Sequence, residues 1–301
     1  MSEEANRHVP VLLNEVLDAF AGLAGAGGTI VDGTLGGGGH TRALLEKLPR
    51  ARVLACDQDP AAVAAARKSL APYVEKGRLG FFEGNFSRLV EADASVAEGF
   101  GPPWSGLLLD LGYSSNQLED AAYGMSFQVD GPLDMRLSRK GQSAWELLEE
   151  VSDQELGDIL KAYGEIIGAH RLAQRIKAAI ADREVKDSTL SLAGFLERIS
   201  PRDRGGIHPA TLVFQALRIA VNDELRVLDH FLEGVILKMG GSARLAVITF
   251  HSLEDRLVKR WGQKNAGKVR ALTKKPITAG EHEVDANPRS RSAKLRVYEK
   301  N

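Results

Sequence analysis

Four side chains stand where short apolar runs give out: Asp32 after Ile30-Val31, Asp57 after Val53-Leu54-Ala55-Cys56, Phe86 after Leu79 to Gly84, and Asp110 after Leu107-Leu108-Leu109. Carboxylates accept hydrogen bonds from hydroxyls and amines, and an aromatic ring can lie against a flat ligand. Asp32 is followed by Gly33 and by a tetrad, Gly36 to Gly39, before a helical pattern begins near Thr41. Glycines take positive φ and let a ligand approach main-chain N–H groups that a Cβ would shield. Asp57 lies about 20 residues past these glycines, the spacing of a carboxylate that accepts from a ribose diol. Asp59-Pro60 reads as an N-cap with proline at the first helical position. Asp59 thus has a structural task, and Asp57 is the candidate ligand acid.

The elements that must position these groups follow from the patterning. Pro10 to Ala21 has apolar residues at helical spacing. Runs ending at Asp32, Asp57, Glu83 and Asp110 read as buried strands separated by helices, and together they make a parallel α/β sheet. Such sheets bind ligands at the carboxyl ends of their strands, which is where all four groups fall. From Asn116 to about Asp223 no segment reads as a buried strand. Ser143…Glu146 and Ser152…Glu155 fit capping boxes, and helical patterns cover Gln154–Tyr163, His170–Asp182, Leu190–Ile199 and Pro209–Met239. Two loops here, Asp130 to Arg136 and Arg202 to His208, combine turn chemistry with charge. The sheet resumes at Arg244 to Thr249 and runs into Phe250-His251-Ser252-Leu253-Glu254-Asp255, where Ser252 is expected to cap a helix through Asp255. Leu295 to Tyr298 alternates as a final strand. The expected division is a sheet domain, 1–117 and 224–301, interrupted by a helical domain, 118–223.

Composition bounds the rest. Hydrophobic content of 44% and charged content of 26% suit a chain with a full core. A single cysteine, Cys56, rules out a disulfide framework or cysteine cluster and suggests a reducing, cytosolic setting. Met1 to Val9 is polar, unlike a signal peptide, and no apolar run is long enough to span a membrane. Net charge is −1, but residues 256–301 carry 13 Lys/Arg against 4 Asp/Glu. That asymmetry points to a polyanion near the C-terminal end.

Two cofactor classes share this sheet. A nicotinamide enzyme needs Gly-x-Gly-x-x-Gly directly after the first strand, which is absent here. An acid closing that strand ahead of the glycines, as Asp32 does, fits S-adenosylmethionine instead. Asp110-Leu111-Gly112-Tyr113 occupies the place of the Asp/Asn/Ser-Pro-Pro-Tyr/Phe motif of methyltransferases acting on exocyclic amines.

Longer stretches make the likeness specific. They are Pro-Val-Leu-Leu-Asn-Glu-Val from Pro10, Val-Asp-Gly-Thr from Val31, Gly-Gly-His from Gly38, Gly-Asn-Phe from Gly84, Leu-Leu-Asp-Leu-Gly from Leu108 and Asp-Gly-Pro-Leu-Asp-Met-Arg from Asp130. His-Pro-Ala-Thr from His208, Phe-Gln-Ala-Leu-Arg-Ile from Phe214, Val-Asn-Asp-Glu-Leu from Val221, Phe-His-Ser-Leu-Glu-Asp-Arg from Phe250 and Asn-Pro-Arg-Ser-Arg-Ser-Ala-Lys-Leu-Arg from Asn287 continue the series. In this order they resemble the RsmH/MraW family of ribosomal RNA small subunit methyltransferases.

The resemblance implies a class I S-adenosylmethionine-dependent methyltransferase, Rossmann-like, with an inserted all-helical domain. It also implies methyl transfer to the 4-amino group of a decoding-region cytosine in small-subunit ribosomal RNA. Family cofactor positions carry over onto Gly38, Gly39, His40, Asp57, Phe86, Asp110 and Gln117, beside Asp32. The expected catalytic set is Asp110 and the Leu111 carbonyl as acceptors on the amine, Tyr113 as a stacking ring, and His251 just past a strand end. RNA is assigned to Arg136, Arg289, Arg291, Lys294 and Arg296, and no metal is expected. Gly37 replaces a usual Arg, Tyr113-Ser114-Ser115-Asn116 a usual Val-Ser-Ser-Pro, and Ile166-Ile167 a usual Glu-Arg.

Overall fold

The computed structural model describes residues 10–23, 27–91, 96, 98–199 and 208–301. The polar stretch Met1 to Val9 and residues 202–207 of the second charged loop lie outside them. The chain divides into two units, Met1–Gly112 with Leu225–Asn301, and Tyr113–Glu224.

Among the described residues the first unit has seven strands: β1 Gly28–Asp32, β2 Ala51–Asp57, β3 Leu79–Glu83, β4 Trp104–Asp110, β5 Met239–Thr249, β6 Val269–Ala271 and β7 Lys294–Lys300. Their order is β3-β2-β1-β4-β5-β7-β6. β1 to β5 pair in parallel, while β7 runs antiparallel to β5 and β6. Chain order reverses at β1, between β2 and β4, so the carboxyl ends of these strands open onto a crevice. This is the expected class I arrangement.

The strands read as unbroken apolar runs because both faces are covered. Ile30, Val53, Ala55, Leu108, Ala246 and Ile248 face one core, while Val31, Leu54, Cys56, Leu107, Leu109 and Val247 face the other. Helices α1 (Leu13–Ala21), α2 (Gly39–Lys47) and α3 (Pro60–Ser69) supply Val16, Phe20, Leu44, Leu45, Val63 and Ala66 to the first core. A short helix, α4 (Ala71–Glu75), precedes β3. The helices of the second unit are α5 (Ser115–Glu119), α6 (Ala144–Glu150), α7 (Asp153–Gly164), α8 (Ala169–Ala181), α9 (Thr189–Ile199) and α10 (Ala210–Asn222). They enclose a separate core including Leu133, Leu148, Leu156, Leu160, Ile176, Leu192 and Leu217. Both expected capping boxes are present, Ser143 with Glu146 and Ser152 with Glu155.

Back in the first unit, α11 (Glu224–Lys238) and α12 (Ser252–Lys264) give Phe231, Leu232, Val235 and Val258 to the second core, and α13 (Glu281–Ala286) precedes β7. One expectation fails along this path. The single helix expected over Pro209 to Met239 is two, because Asp223 sits at φ 52 and ends α10.

Candidate active site at the strand ends

The glycine turn is held by the two acids that precede and follow it. Asp32 is completely buried; its Oδ2 accepts from the Thr41 hydroxyl at 2.6 Å and its Oδ1 from the Thr34 N–H at 3.2 Å. Burial pushes its pKa up to about 6 against these bonds. Asp32 thus ties the end of β1 to the first turn of α2. Asp57 accepts from Gly36 N at 2.7 Å through Oδ2 and from Asp59 N at 2.9 Å through Oδ1. Each oxygen keeps acceptor capacity for a further donor. Burial raises this carboxyl as well, and the backbone bonds oppose the shift. Asp59 caps α3 through Ala61 N at 2.9 Å, the task expected of it.

Within the turn, Gly38 needs its φ of +77 to start α2. At Gly39 a Cβ would stand 2.4 Å from Pro10 Cγ, so the closing contact is the N-terminal segment. Gly37 meets nothing within 4 Å.

His40 and Asp110 meet across this turn. The His40 ring is buried, with Nε2 3.1 Å from the Val11 carbonyl, an acceptor, so Nε2 carries the proton. Burial lowers its pKa to about 4, so the ring is neutral and its Nδ1, 3.6 Å from Asp110 Oδ2, makes no charged pair at neutral pH. Asp110 closes β4, its own N–H bonded to Thr34 Oγ1 at 2.6 Å. Some 24% of its side chain reaches solvent, yet Oδ1 is sealed and has no hydrogen-bond partner among the described residues. Burial, then the nearby charges of Asp32 and Glu254, push its pKa up to about 8. A buried acceptor without a donor is costly unless a ligand supplies one. Phe86 opens a 3-10 turn after β3 and packs edge-on against Phe231 at 5.4 Å.

β5 ends beside β4, with Asp110 opposite Ile248 and Leu111 N bonded to the Ile248 carbonyl at 3.1 Å. His251, not Ser252, caps α12: its Nδ1 accepts from Glu254 N at 3.4 Å, while Glu254 Oε2 accepts from the N–H groups of Phe250 and His251 at 2.8 and 3.3 Å. Ser252 is the first helical residue.

Other expected site residues have partners of their own. In the helical unit, Gln117 is buried and completes a capping box with Ser114, and Arg218 lies 5.0 Å from the Tyr113 ring centre. Arg136 forks onto Asp134, at 2.6 Å from Nη2, and donates to the Gly141 carbonyl. On β7, Arg296 forks onto Asp255 at 2.7 and 3.2 Å and is only 11% exposed. Arg136 and Arg296 therefore build their own loops and strands rather than presenting free guanidinium groups. Lys294 stands 3.8 Å from the same Asp255, while Arg289 is half-buried and Arg291 exposed. Sequence reading singles out none of the exposed cations Lys259, Arg260, Lys264, Lys268, Lys274 and Lys275, although their excess is visible as local charge.

Comparison with known proteins identifies relatives along nearly the whole chain. Residues 5–301 match the model of the MraW methylase family. Proteins named ribosomal RNA small subunit methyltransferase H are 43% identical in Synechococcus sp. (strain CC9605), over 97% of both chains, and 47% identical in Sorangium cellulosum (strain So ce56), over 97% of this chain and 90% of that one. The counterpart in Deinococcus deserti is 45% identical over 97% of this chain and 93% of its own.

Proposed function

Because the chain belongs to the MraW methylase family, we propose that it methylates the exocyclic 4-amino group of a cytosine in the decoding region of small-subunit ribosomal RNA. The coarser reaction, methylation of small-subunit ribosomal RNA, is that of relatives 41–47% identical over nearly their whole length. The observation that carries the amine is Asp110 Oδ1, a buried acceptor lacking a donor at the carboxyl end of β4.

S-adenosylmethionine supplies a methyl group on a cationic sulfur that departs as a neutral thioether. The residues present fit it. Asp57 offers its remaining lone pairs to a ribose diol, Gly36 to Gly39 keep side chains away from the turn, and Phe86 covers a flat ring. A cytosine amine is a poor nucleophile, because its lone pair is delocalised into the ring. Asp110 Oδ1 and the Leu111 carbonyl accept its N–H bonds, draw the nitrogen toward a tetrahedral shape and free the lone pair. The N–H bonds of the amine favour the ionised form of Asp110, and its raised pKa makes that carboxylate a stronger base, which takes the proton the amine sheds. The rest is in-line placement, which is where most of such a barrier is removed. Arg289, Arg291 and Lys294 hold phosphates, and a ribosomal substrate implies the cytoplasm as the enzyme's setting.

The test uses small subunits that lack the modification, incubated with the protein and methyl-labelled S-adenosylmethionine. Nucleoside mass spectrometry should find 4-methylated cytidine from the decoding region. Label on another base type, or only on protein, would overturn the reading.

A further inference from the structure

Asp110 Oδ1 shares its condition with one other side-chain atom among the described residues, His251 Nε2, which is also buried without a hydrogen-bond partner. The two belong to neighbouring strand ends. Asp110 pairs with Ile248, Leu111 N bonds the Ile248 carbonyl, and Phe250 lies against the position of a Gly112 Cβ at 3.7 Å.

The tautomer of His251 follows from its cap. Its Nδ1 accepts from Glu254 N, so that nitrogen carries a lone pair and the proton sits on Nε2. Nε2 stands 3.2 Å from Glu254 Oε1, within reach of an ion pair, but it is not aligned for a hydrogen bond. The ring is 8% exposed, and it caps the positive end of a 13-residue helix. The capping box serves the first N–H groups of this helix and leaves one buried donor, Nε2–H, without a hydrogen-bond partner among the described residues.

Resting on the reading above, we infer that His251 Nε2–H donates to the 2-carbonyl oxygen of the target cytosine and so distinguishes it from adenine. A cytosine carries its amine and its 2-carbonyl oxygen at the two ends of one pairing edge. Asp110 closes β4 and His251 stands just past the end of the neighbouring β5, which assigns the amine to Asp110 and the carbonyl to His251. Adenine also carries an amine beside a ring nitrogen, but a C–H stands where cytosine has its carbonyl, and it leaves the donor unpaired. The exposed cations Lys259 and Arg260 on the same helix suit the phosphates that flank an extruded base.

Two variants separate base reading from capping. His251→Asn retains a good N-cap but loses the reach of Nε2. His251→Gln places an amide donor near the lost Nε2 but caps poorly. Small subunits carrying either cytosine or adenine at the methylated position serve as substrates, with S-adenosylhomocysteine affinity as a control. In His251→Asn, kcat/KM on cytosine should fall about tenfold, the net value of one hydrogen bond, with the adenine rate and the control unchanged. His251→Gln should retain the cytosine preference while melting earlier. An unchanged cytosine-to-adenine ratio in His251→Asn overturns the inference and leaves the proposed reaction standing. Failure of the wild-type protein to methylate any cytosine overturns both.

Discussion

The acids of the two units behave in opposite ways. At the strand ends Asp32 is fully buried and Asp57 and Asp110 partly so, and burial raises all three pKa values. In the helical unit the Glu146 and Glu155 carboxylates accept from the N–H groups of Ser143 and Ser152, and these bonds hold both below the usual range. Asp134 is pushed up by burial and brought down further by its fork with Arg136. The helical acids are satisfied within the fold and need no ligand. The strand-end acids are held at a cost, and Asp110 keeps an oxygen that nothing among the described residues serves. Residue type alone does not separate the two groups; burial and partners do.

The contrast is best broken at its sharpest point. Asp110→Asn retains the shape while removing the charge and one acceptor. At saturating S-adenosylmethionine its turnover should fall about 100-fold, as for loss of one preorganised polar group, with cofactor affinity nearly unchanged. Turnover restored by excess cofactor would leave the Leu111 carbonyl as the acceptor.

Next in size is Asp57→Ala. Loss of charge-assisted hydrogen bonds of about 1.5–3 kcal/mol should weaken S-adenosylhomocysteine binding about 10- to 150-fold by calorimetry. It also frees Gly36 N and Asp59 N, so the glycine turn loosens with it. Ser152→Ala, by contrast, should cost about 1 kcal/mol of stability in a denaturant melt and leave that affinity unchanged.

Stability against pH carries one sign at the strand-end acids, and His40, lowered from 6.5 to about 4, opposes it between those two values. Asp32 and Asp110 titrate at about 6 and about 8 when folded, above the ordinary value of 3.8. The folded state therefore keeps protons that the unfolded chain releases, and stability falls as pH rises from about 4 to about 8. Thermal melts of the ligand-free protein should show that fall, and Asp110→Asn should flatten its upper part. The smallest effect is on RNA. Replacing Arg289, Arg291 and Lys294 by Ala should lower the salt slope of binding by about 0.7–0.9 for each phosphate these side chains hold.

What the sequence made legible was local. Strands buried on both faces announce themselves as apolar runs, so the positions of Asp32, Asp57, Phe86 and Asp110 could be read before any coordinates. The Ser143 and Ser152 caps lie within four residues of their partners. What escaped depends on contacts made at a distance, or on single backbone angles. The fork between Arg296 and Asp255 joins residues 41 apart, and nothing near Arg296 announces it. The break between α10 and α11 is one residue, Asp223, at positive φ. β6 is three residues long and exists only by pairing with β7. His251 stands out in the sequence by its place past a strand end, but its cap, its tautomer and its unpaired nitrogen belong to the folded chain. The Ser114–Gln117 capping box lies within reach of the same spacing rule, yet the family resemblance draws Gln117 toward the cofactor and hides its structural task.

The comparison of the two sets of acids rests most directly on the ionisation of Asp110. Carboxyl carbon NMR of protein labelled at Asp and Glu, titrated from pH 3 to 10, follows the two sets together. The account predicts Asp110 titrating near 8, far above Glu146 and Glu155 below 4.5, and moving downward once an amine-bearing ligand donates to it. An Asp110 that titrates near 4 in the free protein, alongside the helix caps, would contradict it.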